Sequence, residues 1–594
     1  MKRKMEPYLM SVLSNRLYSI GVEMTNTMLR TARSQVMSSC RDLSTAICDR
    51  YGNLLTMPTS IPVHCGNVGL TVKPCLEHPD GIKEGDLFLN NSPYHGNTHH
   101  ADYTYIAPVF FGGELMFFAV AKGHQADCGN SIPSTYHARA KDIFEEGALD
   151  WPCVKIQKNY EDVEDLIRVA KARIRVPDIW YGDYLAGVGS ARIGEKRLKE
   201  FCEEYDIDTI KDFCDSYQEY GEKMIRAEIE KLPEGEWKYT VYHDGIPGVH
   251  EENVPINIKM QVKPKDGDII VDLRDNIDSL EWGLNLSEAT SVSSVRAGIL
   301  NHLPSKLPNN EGVMKHLKVL LREGCIVGKA KYPYSSSMCT TDLADRLISG
   351  TQALMNQFMK SSGMAEGGGH GAIGCSVISG KDSRKNDYPY ITQILVGLSG
   401  GPGVKGHDGY INYAVPCVNG VMRVMSGELL EQQYPMLMLS NEVVQDAIGS
   451  GEFDSSPSFK VSFTPIDNDV IFTNCADGTT AAPKGVNGGS DSTYTIDYVY
   501  DLNDETKERR YLPSISSYAL KKGEVICSES TSGGGYGDPL NRDPEKVKHR
   551  VREGWISIEK ARDTYGVVID TSTETYSVNI EETEKLRAIM RNKK

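Results

Sequence analysis

Nothing in this sequence is long and apolar enough to span a membrane. The longest fully apolar run, residues 115–121 (LMFFAVA), has seven residues, against the ~20 that a spanning helix needs. Basic residues are not in excess. There are 65 Lys and Arg against 81 Asp and Glu, a formal net charge of -16, which argues against nucleic acid as a partner because phosphate backbones need a basic footprint. No two of the 14 cysteines stand in C-x-x-C spacing, so neither a zinc ribbon nor a thioredoxin-type site is present. There is no G-x-x-x-x-G-K-[ST] loop for ATP. Residues 401–406 fit G-x-G-x-x-G formally, but the following His407-Asp408-Gly409-Tyr410 is no helix start, so the dinucleotide reading fails its context. The basic opening MKRK is faintly like a signal peptide, yet Asn15 and Arg16 cut the apolar stretch short. The scattered cysteines read as reduced, buried thiols, and the expected location is cytoplasmic.

What is there is a globular composition, 40% hydrophobic and 25% charged, patterned as a mixed α/β (α+β), multidomain chain. Apolar residues at Leu9, Val12, Leu13, Leu17, Ile20, Met24 and Met28 predict one long helix over residues 1–40. Residues 44–49 read as a strand, and Gly52-Asn53 as the turn after it. Two β-prone runs, 103–111 and 114–121, flank Gly112-Gly113 and predict a two-residue hairpin. Five regions follow from the pattern: 1–150, carrying the hairpin and the metal-binding candidates below; 151–235, helical; 236–360, α/β; 361–540, Gly-rich strands and loops; and 541–594, a charged helical tail. No extended linker separates them, which points to interlocked units.

Histidine is unevenly spread: seven of the 14 lie between residues 64 and 137. With the hairpin turn at Gly112-Gly113, paired residues sum to 225, so Ala101 is expected to face His124. His99-x-x-Asp102 enters the first strand and His124-x-x-Asp127 leaves the second. All four converge on the open end of the hairpin. Two imidazoles and a carboxylate are good ligands for Zn²⁺ or Mn²⁺, and an open coordination position suits a catalytic metal. The alternative is a polar hairpin mouth with hydrogen-bonded histidines, and a slip of one residue would turn the side chains to the other face.

These residues belong to a wider pattern. Asn90-Asn91-Ser92-Pro93-Tyr94, Gly96-Asn97-Thr98-His99 and Asp102 resemble the motif of the hydantoinase B/oxoprolinase family. Ile61-Pro62-Val63-His64, His124-Gln125-Ala126-Asp127, Ile174-Arg175-Val176-Pro177-Asp178 and the tail Gly533-Gly534-Gly535-Tyr536-Gly537 match it too. The resemblance implies a subunit of an ATP-dependent hetero-oligomer. A hydantoinase A-like ATPase subunit, holding ATP with Mg, phosphorylates a carbonyl oxygen of a small substrate, and the subunit resembling this chain binds a divalent metal and completes the reaction. Members open cyclic amides (hydantoin, oxoproline or lactam). Related ketone carboxylases of the acetone and acetophenone type use bicarbonate and add a small third subunit. Carried over by motif, His99, Asp102 and His124 are metal ligands, with Asp42 a further one. Asp127 is expected to orient a histidine or a water, and Glu146 to act as general base.

Overall fold

The computed structural model describes residues 5–58, 60–359, 362–369, 373–572 and 574–593. The basic residues 1–4 and the side chain of Cys65 lie outside this set. The first helix, Pro7–Thr31, begins with proline in its first turn, where the missing N–H costs nothing. Leu13, Leu17, Ile20, Met24 and Met28 form its buried stripe. It ends at Thr31 and does not continue to residue 40. The buried carboxylate of Asp183 takes the backbone N–H groups of Arg33 (2.6 Å) and Ser34 (3.0 Å), and Ala32 is extended. A separate turn, Gln35–Ser38, follows.

The next elements build a seven-stranded antiparallel sheet. Its strands are β1 (Leu43–Asp49), β2 (Leu54–Thr56), β3 (Leu87–Asn90), β4 (Asp102–Phe111), β5 (Glu114–His124), β6 (Val154–Lys158) and β7 (Glu161–Asp162). Their order is β2-β1-β5-β4-β3-β6-β7. Gly112 and Gly113 both have positive φ, 60° and 81°, as the favoured two-residue hairpin turn requires. The 225 register holds only next to this turn. Val109 pairs with Phe117 while Phe110 pairs with Leu115, so Met116 is an extra residue in β5. Beyond this bulge the register moves by one, and His124 faces Asp102 instead of Ala101.

The sheet is covered on both faces. Tyr103, Tyr105, Phe117, Ala119 and Ala121 point into the core shared with the Pro7–Thr31 helix and the 28-residue helix Pro177–Glu204. Ala46, Phe88, Ile106, Phe118 and Val120 alternate onto the other face, under Val68 and Val72 of helix Val68–Leu76. Each fully buried side chain of the larger kind contributes roughly 1.5–3 kcal/mol.

Downstream, a four-stranded sheet (Gly235–His243, Val254–Lys263, Asp268–Asp272 and Leu317–Leu320) packs with helices Glu288–Leu300 and Leu343–Met355. The Gly-rich part forms a second four-stranded sheet and a five-stranded one. Their core takes in Cys40, Ile61 and Val63 from the N-terminal part beside Leu395, Leu398 and Val415. The thirteen described cysteines are all buried and free. Among the described residues, no helix is long and apolar enough to cross a membrane.

Candidate metal centre

The centre lies where β1, β4 and β5 end. Asp102 opens β4 and His124 closes β5, as direct cross-strand partners. Asp42 precedes β1, and its carbonyl accepts the backbone N–H of His124 (3.1 Å). The loop before β4 is braced by asparagine side chains. Asn97 Nδ2 donates to the carbonyls of Asp102 (2.8 Å) and His99 (3.2 Å), and Asn91 Nδ2 donates to that of His100 (2.7 Å). The run of turn formers at 90–98 therefore holds the histidine loop in place.

Asp102 Oδ1 stands 3.2 Å from His99 Nε2 and 3.3 Å from His124 Nδ1. Both rings spend their other nitrogen elsewhere. His99 Nδ1 donates to the Ser337 carbonyl (2.8 Å). The Thr135 hydroxyl donates to the Gln125 carbonyl (2.5 Å) and so accepts from His124 Nε2 (3.2 Å). In neutral rings this leaves two lone pairs facing a carboxylate oxygen. The buried His99 Nε2 has no hydrogen-bond partner. Such an arrangement calls for a proton or a cation between the acceptors. Nitrogen and oxygen ligands of a tetrahedral cation at ~2.0–2.1 Å stand about 3.3 Å apart, so the donor set fits a divalent metal.

His64 joins the group. Its Nε2 lies 3.0 Å from Asp102 Oδ2, and its Nδ1 lies 2.9 Å from Ser44 Oγ. His99, Asp102 and His124 form one set of converging donor atoms, and Asp42, His64 and Asp102 form another. Asp42 Oδ2 is 3.9 Å from His124 Nδ1. Burial would raise the Asp102 carboxyl, but His99 and His64, helped by a hydrogen bond from His124, hold it well below the usual carboxylate range. Burial raises Asp42, with Asp102 adding to the effect and His124 opposing it. His124 is raised: burial disfavours its charge, and the Asp102 hydrogen bond and Asp42 outweigh that. The hairpin spacing does not point to His64 as a ligand candidate. Its signal is the Ile61–His64 motif, which no spacing rule ties to β4.

A cavity opens on Asp42, His64, His99, Asp102 and His124. Asp127 and Glu146 do not line it. Asp127 accepts the backbone N–H groups of Gly129 (2.9 Å) and Arg175 (2.7 Å), so it ties a turn to a distant segment and orients no ligand histidine. Glu146 is buried between His100 Nδ1 (2.8 Å) and Ser335 Oγ (2.6 Å). Burial raises it, yet His100 holds it below its ordinary range, which suits an ion-pair partner better than a general base.

The model of the family described as hydantoinase B/oxoprolinase matches residues 6–539. The chain is 28% identical to the caprolactamase beta subunit of Pseudomonas jessenii, over 95% of this chain and 96% of that one. The crystal structure of ATP-dependent caprolactamase from Pseudomonas jessenii superposes with a TM-score of 0.89, at 26% identity, over 99% and 100% of the two chains. A putative D-/L-hydantoinase subunit of Pseudomonas sp. (strain NS671) is 28% identical over 99% of each chain. The acetophenone carboxylase delta subunit of Aromatoleum aromaticum is 23% identical over 96% of this chain and 88% of its own.

Proposed function

Because this chain belongs to the hydantoinase B/oxoprolinase family, we propose that it is the metal-binding catalytic subunit of an ATP-dependent hetero-oligomer that opens a cyclic amide. A hydantoinase A-like partner phosphorylates the carbonyl oxygen of the substrate. The observation that carries this reading is Asp102 Oδ1 between two imidazole nitrogens whose ring partners are already hydrogen-bonded. The division of labour is supported by the missing Walker loop and by relatives named as subunits of caprolactamase and hydantoinase.

His99, Asp102, His124 and Asp42 would hold the metal, zinc or manganese by donor type. When bound, such a cation supplies Lewis acidity towards a carbonyl oxygen or a water. The chain's own residues prepare the ground. Ser337 and Thr135 fix the ring tautomers. His64 Nε2 and the Thr98 hydroxyl hold Asp102 Oδ2, which turns Oδ1 to the ligand histidines. The apolar cavity wall shields the activated carbonyl compound from bulk water, which limits loss of its phosphate without ring opening.

The test is reconstitution with the ATPase partner. His99→Ala and His124→Ala should each strip the metal, read by elemental analysis, and lower ATP-dependent product formation by at least ~10³-fold, while circular dichroism stays native. Full metal content in both variants would sink the assignment. The carboxylase reading rests on the likeness to the acetophenone carboxylase delta subunit. Ring opening without bicarbonate decides against it, and bicarbonate-dependent ketone consumption decides for it.

A further inference from the structure

The cavity beside the metal centre has a composition that the proposed function does not require. Ile61, Val63, Leu395, Leu398, Val418 and Met422 form much of its wall, and all six are buried. The polar groups outside the donor cluster are neutral: Tyr136, Gln393, Thr340 and Thr341. Gln393 donates to the Cys375 carbonyl (3.3 Å), and Thr341 to Asp342 (2.7 Å). Among the described lining residues there is no lysine and no arginine. Lys122, whose ammonium donates to Thr98 Oγ1 (3.4 Å), is not part of the lining. Among the described lining residues, the charged side chains are those of the cluster itself, with Asp42 and Asp102 as its carboxylates.

A substrate carboxylate in this space would be desolvated beside two acidic residues, with no lysine or arginine among the described lining residues to pair with it, and the donor cluster would already neutralise a bound divalent metal. A buried charge without a partner is strongly disfavoured. A neutral ring or chain would instead replace water along an apolar wall, with the Gln393 amide and Thr340 hydroxyl at hand for a neutral polar group. We infer that the substrate is an uncharged carbonyl compound with a hydrocarbon skeleton, and that cyclic amides bearing a carboxylate, 5-oxoproline among them, are rejected at this wall. The inference rests on the proposed function, since it takes this cavity as the place of reaction.

The decisive pair is 5-oxoproline and its carboxamide, which share a ring and differ in charge. With the metal-loaded complex and ATP, kcat/KM for the carboxamide should exceed that for the carboxylate by at least about 100-fold. Equal or better turnover of the carboxylate overturns the inference and leaves the proposed function standing. If the complex turns over neither these nor lactams nor ketones, the proposed function fails. Calorimetric titration of the metal-loaded chain with the same pair then decides the inference separately. Tighter binding of the carboxamide supports it. Equal binding, tighter binding of the carboxylate, or binding of neither overturns it. Met422→Arg should narrow the preference at least tenfold, with Met422→Gln as the uncharged control leaving it unchanged; an unchanged preference in a folded, metal-loaded Met422→Arg also counts against the wall as its source.

Discussion

At the scale of residues, hydrogen bonds decide which carboxylates work and which only hold the chain. Asp102 and Asp127 sit in identical H-x-x-D spacing. Asp102 is the cross-strand neighbour of His124, whereas Asp127 lies past the strand end and is consumed by two backbone N–H groups. Spacing could find both and could not rank them, because the ranking depends on partners 48 residues away in sequence. His64 was hidden for the same reason: it meets Asp102 across 38 residues. As the residue that orients Asp102, it has an expected signature. His64→Ala should weaken metal affinity by about 10- to 100-fold without abolishing binding, read by competition with a chelator; unchanged affinity would show that His64 plays no part in the centre. His100 makes a different forecast. Burial disfavours its charge, but Glu146 and Asp150 push it up to about 10 from 6.5. The folded protein thus keeps a proton that the unfolded chain releases as pH passes 6.5. The stabilisation is complete below that pH and is lost as pH rises towards about 10. The thermal midpoint of the native protein should fall across this window, and that of His100→Asn should change less; parallel curves would refute the ion pair.

At the scale of elements, the first helix and the strands around the hairpin follow from periodicity. The hairpin, its two glycines and the convergence of its histidines could be read directly, since a two-residue turn leaves little choice of register. The bulge at Met116 could not. Met116 is apolar among apolar neighbours, so no alternation is visibly broken, and only the packing of β5 between β1 and β4 reveals the extra residue. Its effect is large, because it moves His124 from opposite Ala101 to opposite Asp102. Deleting Met116 should close the bulge with Phe110 still opposite Leu115 and Val109 still opposite Phe117, so that Asp102 keeps facing His124 and metal content is retained. Elemental analysis beside amide-exchange protection of β4 and β5 tests this, and metal loss from a folded deletion variant would show that the bulge shapes the centre by more than its register. The first helix shows the same limit in another form: its apolar stripe was legible, but its end was not, because the carboxylate that takes the next two N–H groups comes from residue 183.

At the scale of the whole molecule, the Gly-rich part is a crossing of backbones. A Cβ on Gly534 would run into the Lys484 carbonyl, and one on Gly535 into that of Ser450. Gly534→Ala should therefore cost about 2–3 kcal/mol, read by denaturant unfolding; a neutral result would show that these segments can part at little cost. The Ser-Gly-Gly-Gly run was visible as a loop, but the segments it crosses at Ser450 and Lys484 were not, because contacts between backbones leave no apolar pattern. The same long-range assembly builds the centre. The side chains of Asp42, His64, His99, Asp102 and His124 all belong to the first 124 residues. The carbonyl that fixes the His99 ring arrives 238 residues after it, and the cavity walls at Leu395, Val418 and Met422 come later still. During synthesis, then, the donors emerge well before either the group that orients one of them or the wall that encloses them. On the proposed reading, a metal ion would have an early, open route to these side chains that the finished molecule narrows, and the metal taken up would depend on which ion is present while the chain is still being made.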